Sequence, residues 1–276
     1  MEKLSQTWSL MRASWDVLRK DRELLVFPLL SGISCALVIA AFAFPLARQY
    51  SGSRDMPDQL TLEQIVMAFA FYFSTYFVMS FFNTGIIAAA LIRIRGGDPT
   101  VRDGFKAAWS RVVLIAEWAL VCASVGTILR VIEGRSNRLG QIVSGLVGTA
   151  WSVGTFLVVP ILVVEDIDPI GAVRESVRLL KKTWGQQLVG SFSFGLASFI
   201  LGIPGILVML MGGLAMADSF AAGMALVVLG VIYVVALGLV QSALQSVFQA
   251  SVYAYAREGT TAAGFDRDLL AGSFGR

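Results

Sequence analysis

The chain has 276 residues, 56% of them hydrophobic and only 15% charged, where soluble domains carry about 25% charge. It contains no histidine and two cysteines, which excludes zinc hydrolysis, haem ligation and Ser-His-Asp chemistry through its own side chains, and no cofactor motif is present. A net charge of +3, with no Lys/Arg cluster on a soluble module, argues against nucleic acid as a partner.

The chain opens on an amphipathic helix. Leu4, Trp8, Met11, Trp15 and Leu18 recur at helical steps, with Arg12, Asp16, Arg19 and Lys20 on the other face. An apolar run at 24–47 follows. It outruns a signal-peptide core of about 7–15 residues and supplies the roughly 20 residues that cross a bilayer, so it reads as a retained first span. A second span is predicted at 65–92. Asp98-Pro99 then supplies an N-cap side chain and a first-turn proline to a second amphipathic helix. Its stripe of Val101, Phe105, Trp109 and Val112 opposes Arg102, Asp103 and Lys106. Spans three and four are predicted at 112–129 and 142–164, the latter kinked at Pro160. Asp168-Pro169 starts a third amphipathic helix, with Ile170, Val173, Val177, Leu180 and Trp184 facing away from Arg174, Arg178, Lys181 and Lys182. Span five, at 188–212, carries Gly190, Gly195, Gly202, Pro204 and Gly205; small residues let helix backbones approach closely. Span six covers 221–256, and 258–276 forms a short tail. Cys35 and Cys122 fall inside spans and act as small apolar residues.

Charge orients these spans. Segments on one side hold seventeen Lys and Arg, those on the other five, so the positive-inside rule places both termini in the cytoplasm. The predicted fold is all-α: a polytopic transmembrane bundle, one integral membrane domain over 1–276. Its six spans pair as three hairpins, each preceded by a cytoplasmic interfacial amphipathic helix, with repeats over 1–92, 98–164 and 168–257. Trp15, Trp109 and Trp184 each stand just before a span, at the membrane interface that tryptophan prefers. Phe82-Asn83, Phe156-Leu157 and Phe248-Gln249 recur nine to eleven residues before Arg93, Glu165 and Arg257.

Two groups of residues carry chemistry. Glu117 lies six residues past Arg111, at the start of span three, and Gln241, Gln245 and Gln249 form a stripe on span six, with Asn83 on span two near the level of Gln245. Polar groups inside a bilayer are costly unless bonded, and Glu117 is expected beside Gln249. The set reads either as interhelical hydrogen bonding or as a polar pathway or ligand pocket. The second group is the basic face of Arg102, Lys106, Trp109, Arg174, Arg178, Lys181, Lys182 and Trp184. It either anchors the spans or engages lipid headgroups or a docking partner.

The stretch Ala172-Val173-Arg174-Glu175-Ser176-Val177-Arg178-Leu179-Leu180, followed by Trp184-Gly185, resembles a recurring segment of an uncharacterised family of bacterial multi-span membrane proteins. The tail Tyr253-Ala254-Tyr255-Ala256-Arg257-Glu258-Gly259 does too. These proteins are similar to the membrane domain attached to some glycerophosphodiester phosphodiesterases. The soluble catalytic domain and its histidines are missing, so the resemblance implies a bacterial inner-membrane domain and does not carry over the phosphodiesterase activity.

These features predict a non-enzymatic bacterial inner-membrane protein in a lipid-interacting or scaffolding role. Its expected partners are membrane lipids and another membrane or cytoplasmic protein. A small transporter or channel using Glu117, Asn83 and the glutamine stripe is the alternative. An intramembrane lipid enzyme ranks last, because no second acid–base group matches the depth of Glu117.

Overall fold

A computed structural model describes residues 14–50, 61–135, 138–182 and 184–258, with side chains described at 14–44, 61–132, 144–181 and 199–258. Leu4, Trp8 and Met11 of the first stripe, Arg12 of the opposite face, the tail from 259, the side chains of Lys182 and Trp184, and the surroundings of Gly190 and Gly195 lie outside that description. The described elements are all helical.

A helix at 14–20, here α1, and a 3-10 turn at Arg22–Leu25 lead into α2 (Val26–Tyr50). α3 (Leu62–Ile94) starts on a capping box. The Thr61 hydroxyl accepts the Gln64 N–H at 3.3 Å, and the Gln64 side-chain carbonyl accepts the Thr61 N–H at 3.0 Å. α3 ends in a Schellman motif: Gly96, at φ +89°, donates to the Arg93 carbonyl, and Gly97 donates to the Ile92 carbonyl. α4 (Val101–Ser110) is capped by Thr100, not by the predicted Asp98. The Thr100 hydroxyl accepts the Asp103 N–H and the Asp103 carboxylate accepts the Thr100 N–H. Asp98 is drawn away by Arg93, with which it pairs. α8 (Pro169–Lys182) starts as its sequence predicts, with Asp168 accepting the Gly171 N–H at 3.2 Å and Pro169 as first helical residue.

Five described helices are long and apolar enough to cross a membrane, at Arg22–Phe44, Leu62–Ile94, Val112–Ile132, Ser144–Val164 and Phe220–Glu258. They lie in α2, α3, α5 (Val112–Arg135), the pair α6 (Arg138–Gly154) and α7 (Val158–Val164), and α10 (Phe220–Glu258), and α9 (Trp184–Ala215) adds the apolar stretch Phe199–Ala215. Their outward faces are apolar: Leu37 is 66% exposed and Leu214 78%. Patches of this extent need a nonaqueous neighbour.

The stretch predicted as span four is two helices, α6 (Arg138–Gly154) and α7 (Val158–Val164). Pro160 is the cause. It offers no N–H to the Phe156 carbonyl and its ring crowds that carbonyl, so the chain turns over 155–157 before helix resumes. Ser176 of α8 closes the gap from outside. Its hydroxyl donates to the Gly154 carbonyl at 2.7 Å and accepts the Leu157 N–H at 3.2 Å, and the residue is fully buried.

The core lies where α3, α7 and α10 meet. Ile86 to Ile94, Leu157 to Leu162 and Ala243 to Ala254 supply most of it, joined by Trp118 of α5, Leu179 of α8 and Phe27 of α2. Phe27 wedges between two glycines. A Cβ on Gly85 would lie 2.6 Å from its ring, and one on Gly104 would lie 2.3 Å from the ring and 2.7 Å from the Gly85 carbonyl oxygen. α9 and α10, joined by a turn at 216–219, pack glycine on glycine. A Cβ on Gly212 would lie 2.8 Å from the Gly223 carbonyl oxygen, and one on Gly223 2.6 Å from that of Gly212. Gly205 and Gly230 repeat this one level along, whereas Gly202 meets nothing within 4 Å. The close approach predicted for span five therefore runs through Gly205 and Gly212.

Candidate functional site: a polar cavity and a basic face

Asn83, Gln245 and Gln249 meet. They line one cavity of about 420 Å³ bordered by α2, α3, α5, α6, α7 and α10. Ser31, Ser80, Ser152, Thr155, Ser242 and Ser246 add hydroxyls, Tyr76, Phe82, Trp118, Trp151 and Phe156 give aromatic walls, and among the described residues no charged side chain lines the space. The Ser246 hydroxyl lies 2.9 Å from both Asn83 Oδ1 and the Ser242 carbonyl. Trp118 and Trp151 stack with centroids 6.0 Å apart, and Phe156 meets Phe248 edge to face at 6.2 Å. The recurring positions Phe82-Asn83, Phe156 and Gln249 thus converge on one place. Gln249 stands eight residues from Arg257 and Asn83 ten from Arg93, which is about 12–15 Å along a helix.

Glu117 is not brought to this cavity. It is exposed on α5, on the face shared with Val113 and Leu120, while its neighbour Trp118 faces the cavity. Counting residues gives depth along a helix; it does not give direction around it, which turns by about 100° per residue. Gln241, half-buried, lies two turns beyond Gln249 on α10 and off the cavity.

Ion pairs gather where α3, α5 and α10 meet the polar connections. Arg93 grips Asp21 through two hydrogen bonds of 2.5 and 2.6 Å and also pairs with Asp98. Arg95 pairs with Glu258 at 2.5 Å and Arg111 with Asp166 at 2.6 Å. Arg257 reaches Glu175 at 3.1 Å and Glu165 at 3.4 Å, and the Tyr253 hydroxyl donates to Glu165 at 3.0 Å. Arg93, Arg95, Arg111 and Arg257 are therefore engaged inside the molecule.

Other cations face outward. Arg102 and Lys106 of α4 and Arg174 and Lys181 of α8 are exposed, and Arg178 is exposed while pairing with Glu175 at 3.1 Å. Trp109 is 71% exposed beside Lys106. The docked faces keep part of the predicted stripes, with Val101 and Phe105 of α4 and Val173 and Leu180 of α8 packed against the core or buried. α4 buries Gly104 and Ala108, and α8 buries Ala172, Ser176, Leu179 and Leu180, leaving Trp109 and Ile170 outside. The closest docking against α3 and against the α6–α7 break falls on the small residues Gly104, Ala108, Ala172 and Ser176, while Trp109 and Ile170 stay at the surface with the cations. At the start of α4 the Thr100 hydroxyl, and then its N–H, hold the Asp103 carboxyl below the usual carboxylate range. Among the described residues no three Cys, Asp or Glu side chains gather as a metal site.

Residues 62–265 match DUF6159, a family of unknown function. The chain belongs to this family. The DUF6159 match begins at the first residue of α3 and runs through α10, so it takes in the cavity residues other than Pro28 and Ser31, and the exposed cations of α4 and α8, and leaves α2 outside. No curated protein matches the chain. Nothing in these findings links it to the membrane domain of glycerophosphodiester phosphodiesterases.

Proposed function

We propose that this DUF6159 protein is a non-enzymatic protein of the bacterial inner membrane that engages lipid and scaffolds partners at its basic face. In this reading six spans form three hairpins, both termini are cytoplasmic, and α4 and α8 lie at the inner-leaflet headgroups. The observation that carries it is the outward group of Arg102, Lys106 and Trp109 on a helix whose opposite face is docked through Gly104 and Ala108. A helix held that way keeps these groups turned outward. A tryptophan ring suits the headgroup layer, and each cation near an anionic surface contributes about 1 kcal/mol. α8 repeats the arrangement with Arg174 and Lys181.

The test is a photoactivatable phosphatidylglycerol mapped by peptide. Labelling of the α4 and α8 peptides is expected to fall in the Arg102→Glu, Lys106→Glu, Arg174→Glu, Lys181→Glu combination. Undiminished labelling of those peptides would reject the reading.

The cavity favours a second reading, passage of a small uncharged solute, because its lining bonds hydrogen without charge. Vesicles holding the protein would then take up glycerol or urea faster than empty ones, and Asn83→Leu with Gln249→Leu would remove the difference. Uptake equal to that of empty vesicles rejects it.

A further inference from the structure

A second cavity, of about 490 Å³, lies among α2, α3 and α5. Its lining begins with residues near the start of α3 and the far part of α5, away from the ion pairs. The walls are apolar: Ile39 and Phe42 from α2, Met67 and Phe71 from α3. Gln64 of α3 and Thr127 and Arg130 of α5 break that pattern. Thr127 is 9% exposed, and its hydroxyl is buried with no hydrogen-bond partner. Buried hydroxyls are nearly always bonded, so an open one on a cavity wall marks the place of a ligand acceptor. Arg130 is exposed and stands three residues further on, the same face of the helix one turn away.

The spacing along α5 gives these groups a depth. Arg130 is nineteen residues beyond Arg111, or about 28 Å at 1.5 Å per residue. The hydrocarbon of a bilayer is about 30 Å thick. With α5 as a span, Arg130 stands at the interface opposite Arg111, Thr127 one turn inside it, and the apolar walls deeper or alongside. A cation, then a hydroxyl donor, then an apolar slot is the order that complements phosphate, ester carbonyl and acyl chain. Among the described residues the lining offers a cation, Arg130, and no carboxylate, which suits an anionic headgroup.

We propose that this cavity binds one anionic phospholipid of the leaflet opposite the basic face. Its phosphate is held by Arg130, an ester carbonyl accepts from the Thr127 hydroxyl, and an acyl chain lies along Ile39, Phe42, Met67 and Phe71. The proposal rests on the reading of α2, α3 and α5 as spans, and is independent of any lipid at α4 and α8.

The experiment uses the full chain in nanodiscs with phosphatidylglycerol or phosphatidylethanolamine carrying a photoactivatable acyl chain. Phosphatidylglycerol is expected to label the peptides holding Phe42 and Phe71. Arg130→Gln should cut that label about tenfold, the loss of one charge-assisted hydrogen bond, Thr127→Val should cut it severalfold, and Arg130→Lys should keep most of it. Ala68→Trp, which fills the cavity from α3, should abolish it, and serves if Arg130→Gln fails to fold. The four charge reversals on α4 and α8 should leave this label unchanged while removing their own. Equal labelling of wild type, Arg130→Gln and Thr127→Val overturns the site. Equal labelling by both lipids overturns the anionic preference. Arg130→Cys should react with an impermeant thiol reagent from the outer side; reaction from the cytoplasmic side alone overturns the leaflet and the six-span reading with it.

Discussion

Removing the Ser176 hydroxyl tests how α8 is held to the bundle. In Ser176→Ala two bonds disappear, the donor to the Gly154 carbonyl at 2.7 Å and the acceptor for the Leu157 N–H at 3.2 Å. Leu157 is 0% exposed, so its N–H has no route to water. A buried donor left unmade costs about 1–3 kcal/mol, and the carbonyl loses a bond worth about 0.5–1.5 kcal/mol. The sum is about 2–4 kcal/mol, which in a chain of this size lowers Tm by roughly 4–16 °C. The assay is thermal unfolding of the detergent-solubilised protein followed by tryptophan fluorescence. Ser110→Ala is the control, because that hydroxyl is exposed and bonds only the Ala107 carbonyl of its own helix; its change should stay within about 0.5 kcal/mol. If Ser176→Ala melts with Ser110→Ala, the gap between α6 and α7 is not closed by this serine and the argument for how α8 docks is wrong.

Three further outcomes follow from the packing and the caps. Gly212→Leu should destabilise by about 1–3 kcal/mol or more, because its first side-chain atom meets backbone 2.8 Å away, whereas Gly202→Leu, with nothing within 4 Å, should be near neutral; equal melts for the two would refute the glycine contact. Phe27→Ala removes a ring that is 1% exposed and should cost about 3–5 kcal/mol, while Leu37→Ala on the exposed face of the same helix should change the melt little. Because Thr100 lowers the Asp103 titration, the capping box contributes fully above the unfolded value of about 3.9 and fades as pH falls through the lower folded value. Thr100→Ala should move that titration up toward about 3.9 in a carboxyl-carbon NMR titration, and an unmoved midpoint would contradict the assignment.

Much of this architecture is legible in the sequence because long apolar runs and proline-started helices are local signals. Asp168-Pro169 marks the start of α8, and Pro160 marks the break in the fourth apolar stretch. Asp98 failed as a cap because a competing partner, Arg93, and a better local pair, Thr100 with Asp103, were equally present in the chain. The grouping of Asn83 with Gln245 and Gln249 followed from depth alone, since all three happen to border one open cavity, Gln245 at an exposed position. Glu117 shares a comparable depth and points the other way. The faces that α4 and α8 bury were legible in part, through Val101, Phe105, Val173 and Leu180, and the rest was missed for a related reason. Periodicity ranks residues by hydrophobicity, while close docking selected Gly104, Ala108, Ala172 and Ser176 for their size. The unsatisfied Thr127 hydroxyl has no sequence signature at all, since a threonine in a helix ordinarily finds a backbone carbonyl.

The molecule is fastened at one end. Ion pairs, the bridging serine and the buried side chains of α3, α7 and α10 gather there, while the far parts of α2, α9 and α10 show apolar side chains on most faces. Amide hydrogen exchange should be slowest over 86–94 and 247–254 and faster over the described turn between α9 and α10 at 216–219. The two cavities stand differently in that respect. The one around Asn83 adjoins the buried core and is expected to keep its shape, whereas the one under Arg130 lies away from the core and is expected to change volume as the helices around it move.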